Sequence, residues 1–311
     1  MSDLSQAATD YLLLRGALGH KLADAARLLP RFVAYLDEIG AETVTVEAAL
    51  AWAQQPDATP GSTVWPRRMS VARGFARHLA GSDPRTEVPP AGLIPSHQRR
   101  RPPFVYAPSD ITALMSQARS IRSPLRAATM ETLIGLLAVT GMRVGEAIRL
   151  EAHDVDWAEA VLTIRESKFG KSRHLPVQPS TLDAINDYTR RRRRLHHPKP
   201  AATTVFVSNV GTPLLYDNIW KTFRTLIDAA GVGGKSSFPA RIHDLRHTFA
   251  VRTLINWYRT GEDVQARLPW LSAYLGHRDP HSTYWYLSAA PELLALAAHR
   301  LEAATNPGSP S

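Results

Sequence analysis

The stretch Ala240–Trp257, ARIHDLRHTFAVRTLINW, crowds two histidines and two arginines into its first eight residues and then runs on as an ordinary helix. A helix N-terminus already carries partial positive charge from its unsatisfied N–H groups, so cations there work against the macrodipole. Placing His243 and Arg246 three residues apart puts both on one helical face. Charge held at a mildly unfavourable position points to an anionic ligand.

Working outward, the chain reads as mostly helical. Leu12–Leu18 and Ala23–Ile39 carry apolar residues at helical spacing, among them Leu28, Leu29, Phe32, Val33 and Leu36. Gly40 stops the second of these. TVEAALAWAQQ follows with Thr45 as N-cap, then STVWPRRMSVARGFARHLAG with Arg67, Arg68, Arg73 and Arg77. The proline-rich stretch SDPRTEVPPAGLIPSHQRRRPPFVYAPSD, holding Arg99, Arg100 and Arg101, reads as an extended linker.

Beyond the linker, Ser109 is the expected N-cap of SDITALMSQARS, and LRAATMETLIGLLAVT is a long apolar helix ended by Gly141. Val161, Thr163 and Arg165, then His174 to Val177, alternate as short antiparallel strands. Pro179 opens a helix ending in the five arginines Arg190–Arg194, TTVFVS reads as a short strand, and further helices start near Tyr216, His243, Pro269 and Pro291. The fold class is therefore mainly α with a small antiparallel β-sheet. The expected division is an N-terminal helical unit over residues 1–97, a linker over 98–108, a second domain over 109–305 and a disordered tail over 306–311.

The chain has 311 residues and no cysteine, which excludes disulfides, thiolate metal sites and a thiol nucleophile. Neither a signal peptide nor an apolar run of about 20 residues is read, so no membrane association and a cytoplasmic location are expected. Net charge is +9. Residues 1–100 hold 11 Lys/Arg against 10 Asp/Glu, and residues 101–311 hold 26 against 18. The excess sits in the second part, and a polyanion is the natural partner.

Four patches of that part carry unusual chemistry: TGMRVGEAIRL with Arg143, SKFGKSRHLPV with Lys168, HDLRHTFA with His243 and Arg246, and YLGHRDPHSTYWYLSA with His277 and Tyr286. Singly, each has a plain reading. Arg143 could pair with Glu146, Lys168 could be a solvated hairpin lysine, His277 a helix-end histidine, and Tyr286 a core residue.

Together and in this order, the set resembles the tyrosine recombinase, or phage integrase, family. That family's pattern is Arg, Lys on a β-hairpin, His-x-x-Arg, Leu-Gly-His and a Tyr about nine residues later. The hairpin pattern Lys-x-x-Lys-x-Arg-x-x-Pro falls on Lys168, Lys171, Arg173 and Pro176. The resemblance covers roughly residues 100–290. Residues 1–95 match in type alone, as a four-helix core-binding domain. Two tyrosines stand near the last position; spacing from His277 selects Tyr286, and Tyr284 is expected to pack.

The resemblance implies a site-specific DNA recombinase of a phage or mobile element, acting through a 3′-phosphotyrosyl intermediate. Arg143 and Arg246 would hold the nonbridging phosphate oxygens bidentately. Lys168 would protonate the leaving 5′-oxygen. His243 and His277 would bond the phosphate or handle the phenol proton, and Tyr286 would attack. No cofactor or metal is implied. The expected partner is double-stranded DNA, clamped between the two domains by a homotetramer or heterotetramer, with DNA-bending accessory proteins possible. Arg67, Arg68, Arg73, Arg77, Arg99, Arg100, Arg101, Lys171 and Arg173 are the expected DNA contacts. Rival readings are a type IB topoisomerase and a DNA-binding protein that does not cut.

Overall fold

The computed structural model describes residues 3–20, 22–59, 62–95, 102–165, 172–195, 203–234, 238–277, 281–289 and 292–298. Contacts divide the chain into two compact units, residues 1–101 and 102–311.

The first unit is built from α1 (Asp3–Ala17), α2 (Ala23–Glu38), α3 (Val46–Ala53) and α4 (Val64–Leu79). α1 starts well before Leu12, because Leu4 and Ala8 extend the buried stripe toward the N-terminus. On α2, Leu28, Leu29, Phe32, Val33 and Leu36 are all buried, and the Phe32 ring lies 4.7 Å from that of Trp52. Burying each such side chain contributes roughly 1.5–3 kcal/mol. Thr45 caps α3, its hydroxyl accepting from the Ala48 N–H at 3.1 Å.

The stretch after α4 is not wholly a free connector. The Glu87 N–H donates to the Val44 carbonyl at 2.8 Å, and Arg73 donates to the carbonyls of Pro89 and Pro90, each at 2.8 Å. The proline-rich segment folds back onto this unit as far as Pro90.

The second unit contains α5 (Pro108–Arg119), α6 (Pro124–Thr140), α7 (Val144–Ala147), β1 (Val155–Asp156), β2 (Val161–Ile164), β3 (Arg173–Pro176), α8 (Pro179–Leu195), α9 (Tyr216–Ala230), α10 (Asp244–Arg259), α11 (Val264–Leu275) and α12 (His281–Ala289). Residues 292–298 are again helical. α6 is buried nearly all round, as its continuous apolar sequence demands, and forms the middle of one core. A second core joins α10, α11 and α12. The three strands are antiparallel in the order β1-β2-β3, with Val161 opposite Pro176 and Ile164 opposite Arg173. Leu162, Ile164 and Leu175 point into the core.

Four expectations need correcting. Ala107, not Ser109, precedes α5, because Pro108 suits the first helical position and the Asp110 carboxylate reaches back to the Ala107 N–H. TTVFVS forms only isolated bridges, Glu151 with Thr204 and Val207 with Pro213. α11 starts at Val264, capped by Asp263, and Pro269 lies inside it. Residues 102–107 are not a loose linker: Tyr106 is fully buried, its N–H donates to Thr248 Oγ1 and its hydroxyl to the Arg241 carbonyl.

Candidate active site

The site is organised by the C-terminus of α11. A helix end leaves its last carbonyls without intrahelical partners and carries partial negative charge. Here three successive carbonyls each accept from a different arginine. Tyr274 takes Arg173 Nε at 2.8 Å, Leu275 takes Arg246 Nη2 at 2.7 Å, and Gly276 takes Arg143 Nη2 at 3.0 Å. Arg246 also donates through Nη1 to the Gly141 carbonyl at 2.9 Å.

Two glycines make this approach possible, and both have left-handed backbone. A Cβ on Gly141 (φ +61°) would lie 2.5 Å from Phe249 Cδ1, and one on Gly276 (φ +68°) 2.8 Å from Arg173 Nη1.

Beneath the arginines sits Glu146, 5% exposed. It accepts from the Arg143 N–H at 2.9 Å, from Arg143 Nη1 at 2.8 Å, and from Arg173 Nη1 and Nη2 at 3.1 and 2.9 Å. Burial alone would raise its carboxyl pKa, but the hydrogen bonds and charge of Arg173 and Arg143 outweigh it and hold the pKa down at about 2. Arg246, 2% exposed, is different, because its hydrogen bonds go to carbonyls, which orient a guanidinium without cancelling its charge. Loss of water and the nearby Arg143 lower its pKa to about 10, so it stays protonated at neutral pH.

α10 resolves the crowding at its own N-terminus. Arg241 is paired with Asp244 at 2.8 Å, and that buried carboxylate also accepts the Arg241 N–H. His243 precedes the helix on an accessible surface among packed protein. Partial removal from water, with the charges of Arg246, Arg143 and Arg241, lowers its pKa to about 4. His247, one turn on, is lowered to about 3 by burial and then by His243, Arg241 and Arg246. Both rings are thus neutral at physiological pH, and of the four residues only Arg246 presents a charge unmatched by a carboxylate.

α12 brings in Tyr286, 2% exposed, with Oη 3.2 Å from His247 Nδ1. The His277 ring stacks 6.0 Å from the Tyr286 ring, and its Nδ1 lies 2.7 Å from Thr283 Oγ1. Tyr284, expected to pack, is instead 48% exposed.

The structure therefore brings Arg143, His243, Arg246, His277 and Tyr286 together. Lys168 and Lys171, between β2 and β3 in sequence, lie outside the described residues, and so do Arg99, Arg100 and Arg101. The other expected DNA contacts divide between inward-facing and exposed side chains. Arg173 turns inward to Glu146 and the Tyr274 carbonyl. Arg68 is buried, paired with Asp57 and set over the Trp52 ring. Arg73 holds Pro89 and Pro90. Arg67 is exposed beside Asp24 at 3.4 Å, and Arg77 is exposed.

Sequence reasoning gave no role to His247 or to the α11 carbonyls and treated Glu146 only as a possible partner of Arg143. His247 stands four residues from His243 on the same face, a signal already in the sequence.

The Phage integrase family model matches residues 105–292. A Sinorhizobium fredii (strain NBRC 101917 / NGR234) protein named as integrase/recombinase y4rB is 42% identical over 308 residues, covering 97% of this chain and 98% of the relative. Tyrosine recombinase XerD of Lacticaseibacillus casei is 28% identical, covering 75% of each. Among solved structures, the Tn1549 transposon integrase in complex with transposon right end DNA superposes with a TM-score of 0.66 at 16% identity, covering 95% of this chain and 98% of that one. XerH recombinase bound to its difH substrate gives 0.62 at 18% identity, covering 95% and 84%. These matches favour neither a topoisomerase nor a protein that does not cut. With a family match over more than half its length and near full-length similarity to y4rB, the chain belongs to the phage integrase family, the tyrosine recombinases, enzymes that transfer DNA strands.

Proposed function

We propose that this recombinase cuts duplex DNA at a specific site by attack of Tyr286 Oη on a backbone phosphorus. The P–O5′ bond breaks, leaving a 3′-phosphotyrosyl link and a free 5′-hydroxyl. Arg143 and Arg246 hold the nonbridging oxygens; electrostatic stabilisation of this kind is worth roughly 3–4 kcal/mol per donor. His243 and His277 flank the same position, and Lys168 protonates the leaving oxygen. The bond energy stays in the ester, so rejoining to another strand needs neither nucleotide nor metal.

One observation carries this reading. Arg246 is a buried guanidinium whose acceptors among the described residues are carbonyls, next to Arg143 and near enough to Tyr286 for a phenolate there to act on its charge. A buried charge without a carboxylate partner is costly unless an anion arrives to match it.

The partner is double-stranded DNA, a reading supported by the Tn1549 integrase in complex with transposon right end DNA and XerH bound to its difH substrate. Four protomers, identical or of two kinds, bring two sites together, and DNA-bending proteins assist. The setting is the cytoplasm and the role that of a mobile element or phage. The second unit carries the chemistry, while Arg67, Arg77 and Arg99–Arg101 add phosphate contacts.

The test is covalent capture of duplexes from a randomised pool carrying nicks that let the 5′-hydroxyl strand diffuse away. Wild-type and Tyr284→Phe protein should attach DNA in excess EDTA, and Tyr286→Phe should bind but not attach. Attachment by Tyr286→Phe, or a strict magnesium requirement for cleavage, would overturn the assignment.

A further inference from the structure

His247 is left unused by the mechanism above, yet its Nδ1 lies at hydrogen-bonding distance from the nucleophile's oxygen, 3.2 Å from Tyr286 Oη. We propose that His247 is a catalytic residue, taking the phenol proton of Tyr286 onto Nδ1 as the oxygen attacks phosphorus. The inference rests on Tyr286 being the nucleophile and deepens that reading.

The geometry fixes how the ring can act. His247 is on the first turns of α10, one turn after His243, whose ring meets it edge to face at 4.9 Å. Trp285 closes another side at 5.4 Å, and the Tyr286 ring lies at 5.4 Å. A ring packed on several sides keeps its orientation, so Nδ1 stays aimed at the phenol. Accepting there requires the ring's own proton on Nε2.

The electrostatics supply the timing. Burial first, then His243 and Arg241 at the start of α10, Arg246 on α10 and His277 after α11 keep the ring neutral in the free protein. A neutral imidazole is the form that can accept a proton. A phosphodiester set between Arg143 and Arg246 brings negative charge into that field and offsets the positive groups that depress the ring's basicity. Basicity at His247 then rises when substrate is present and rises further as charge builds on the phosphate.

The step balances. The Tyr286 Oη–P bond forms, the Oη–H proton passes to His247 Nδ1, the P–O5′ bond breaks, and the leaving oxygen takes a proton from Lys168. Rejoining runs the same transfers backward, with the imidazolium returning its proton to the departing phenol.

The experiment measures single-turnover cleavage on a duplex selected from the randomised pool by wild-type attachment. His247→Asn keeps an acceptor near the Nδ1 position but not its basicity, and His247→Gln is the second variant. Both should cleave about 100-fold or more slowly, within the range general-base catalysis supplies, with DNA binding within about twofold of wild type. The acid limb of the wild-type pH–rate profile should be missing from both. A 5′-bridging phosphorothiolate, whose thiolate leaves without protonation, should rescue Lys168→Ala but not His247→Asn.

Wild-type cleavage rates in both variants, or an unchanged pH profile, would overturn the proposal. So would faster cleavage, which would make the His247–Tyr286 contact a latch. Failure of wild-type protein to attach any DNA, or attachment by Tyr286→Phe, would sink the tyrosine reading itself.

Discussion

Glu146 offers the sharpest test of how the site is held together. Replacing it with Gln keeps the shape and removes the negative charge. The carboxylate lies under two guanidiniums and accepts four hydrogen bonds. A carboxyl moved from 4.5 to about 2 has its charged form stabilised by about 3 kcal/mol on folding. Deleting one partner of a buried ion pair costs roughly 3–5 kcal/mol, which agrees. Glu146→Gln should therefore destabilise the protein by about 3 kcal/mol at pH 7. Because the folded pKa is depressed, this contribution is fully present above about 4.5 and is lost as pH falls toward 2. Urea denaturation of the full chain, wild type against variant, at steps from pH 7 to pH 3 reads the effect. The gap should be full at pH 7, begin to narrow below about 4.5 and stand at about half its full width at pH 3. A gap under about 0.5 kcal/mol at pH 7, the scale of an ordinary surface change, would refute the reasoning. A gap equally wide at pH 7 and pH 3 would refute it too.

Gly276→Ala forces a side chain into left-handed backbone and onto Arg173, and should cost about 1–3 kcal/mol and slow cleavage, measured by thermal melts and covalent capture. His247 and His243 have folded pKa values lowered to about 3 and about 4, so stability should be full above about pH 6.5 and fall on acidification. The slope should reach up to about 1.4 kcal/mol per pH unit for His247 and less for the exposed His243; denaturation midpoints unchanged between pH 7 and 5 would contradict this. Replacing Arg99, Arg100 and Arg101 with Ala should flatten the slope of log affinity against log salt by up to about 3, alike for cognate and random DNA. An unmoved slope would remove these residues from the interface.

The constellation was legible because the chemistry proposed for it needs particular side chains at particular spacings. Arg143, His243, Arg246, His277 and Tyr286 could be named from their letters, and Gly141 announced a helix end. What held them was not legible: the carbonyls of Tyr274, Leu275 and Gly276 belong to the backbone and carry no letter. Arg68 shows that position outweighs charge: it is buried beside Asp57. Residues 68, 72, 75 and 79 follow the helical period, and Ala72, Phe75 and Leu79 are core, so the period already turned Arg68 inward. Pro269 misled in the same way, since proline marks a helix start more often than its middle; here Asp263 supplies the cap.

The three arginines at the end of α11 have one more consequence. Among the described residues there, Arg143, Arg173 and Arg246 bring three positive charges and Glu146 one negative, a sum of +2 over these four. A phosphodiester at rest carries a single negative charge, and the five-coordinate phosphorus of strand transfer carries about two. On the proposed mechanism the pocket would be mismatched to the DNA it first binds and better matched to the fleeting species through which that DNA would pass. Catalysis requires this asymmetry, because only interactions stronger in the transition state than in the ground state speed the reaction. The folded protein holds like charges together in advance, and a phosphate reacting there as proposed would relieve their repulsion at the top of the barrier.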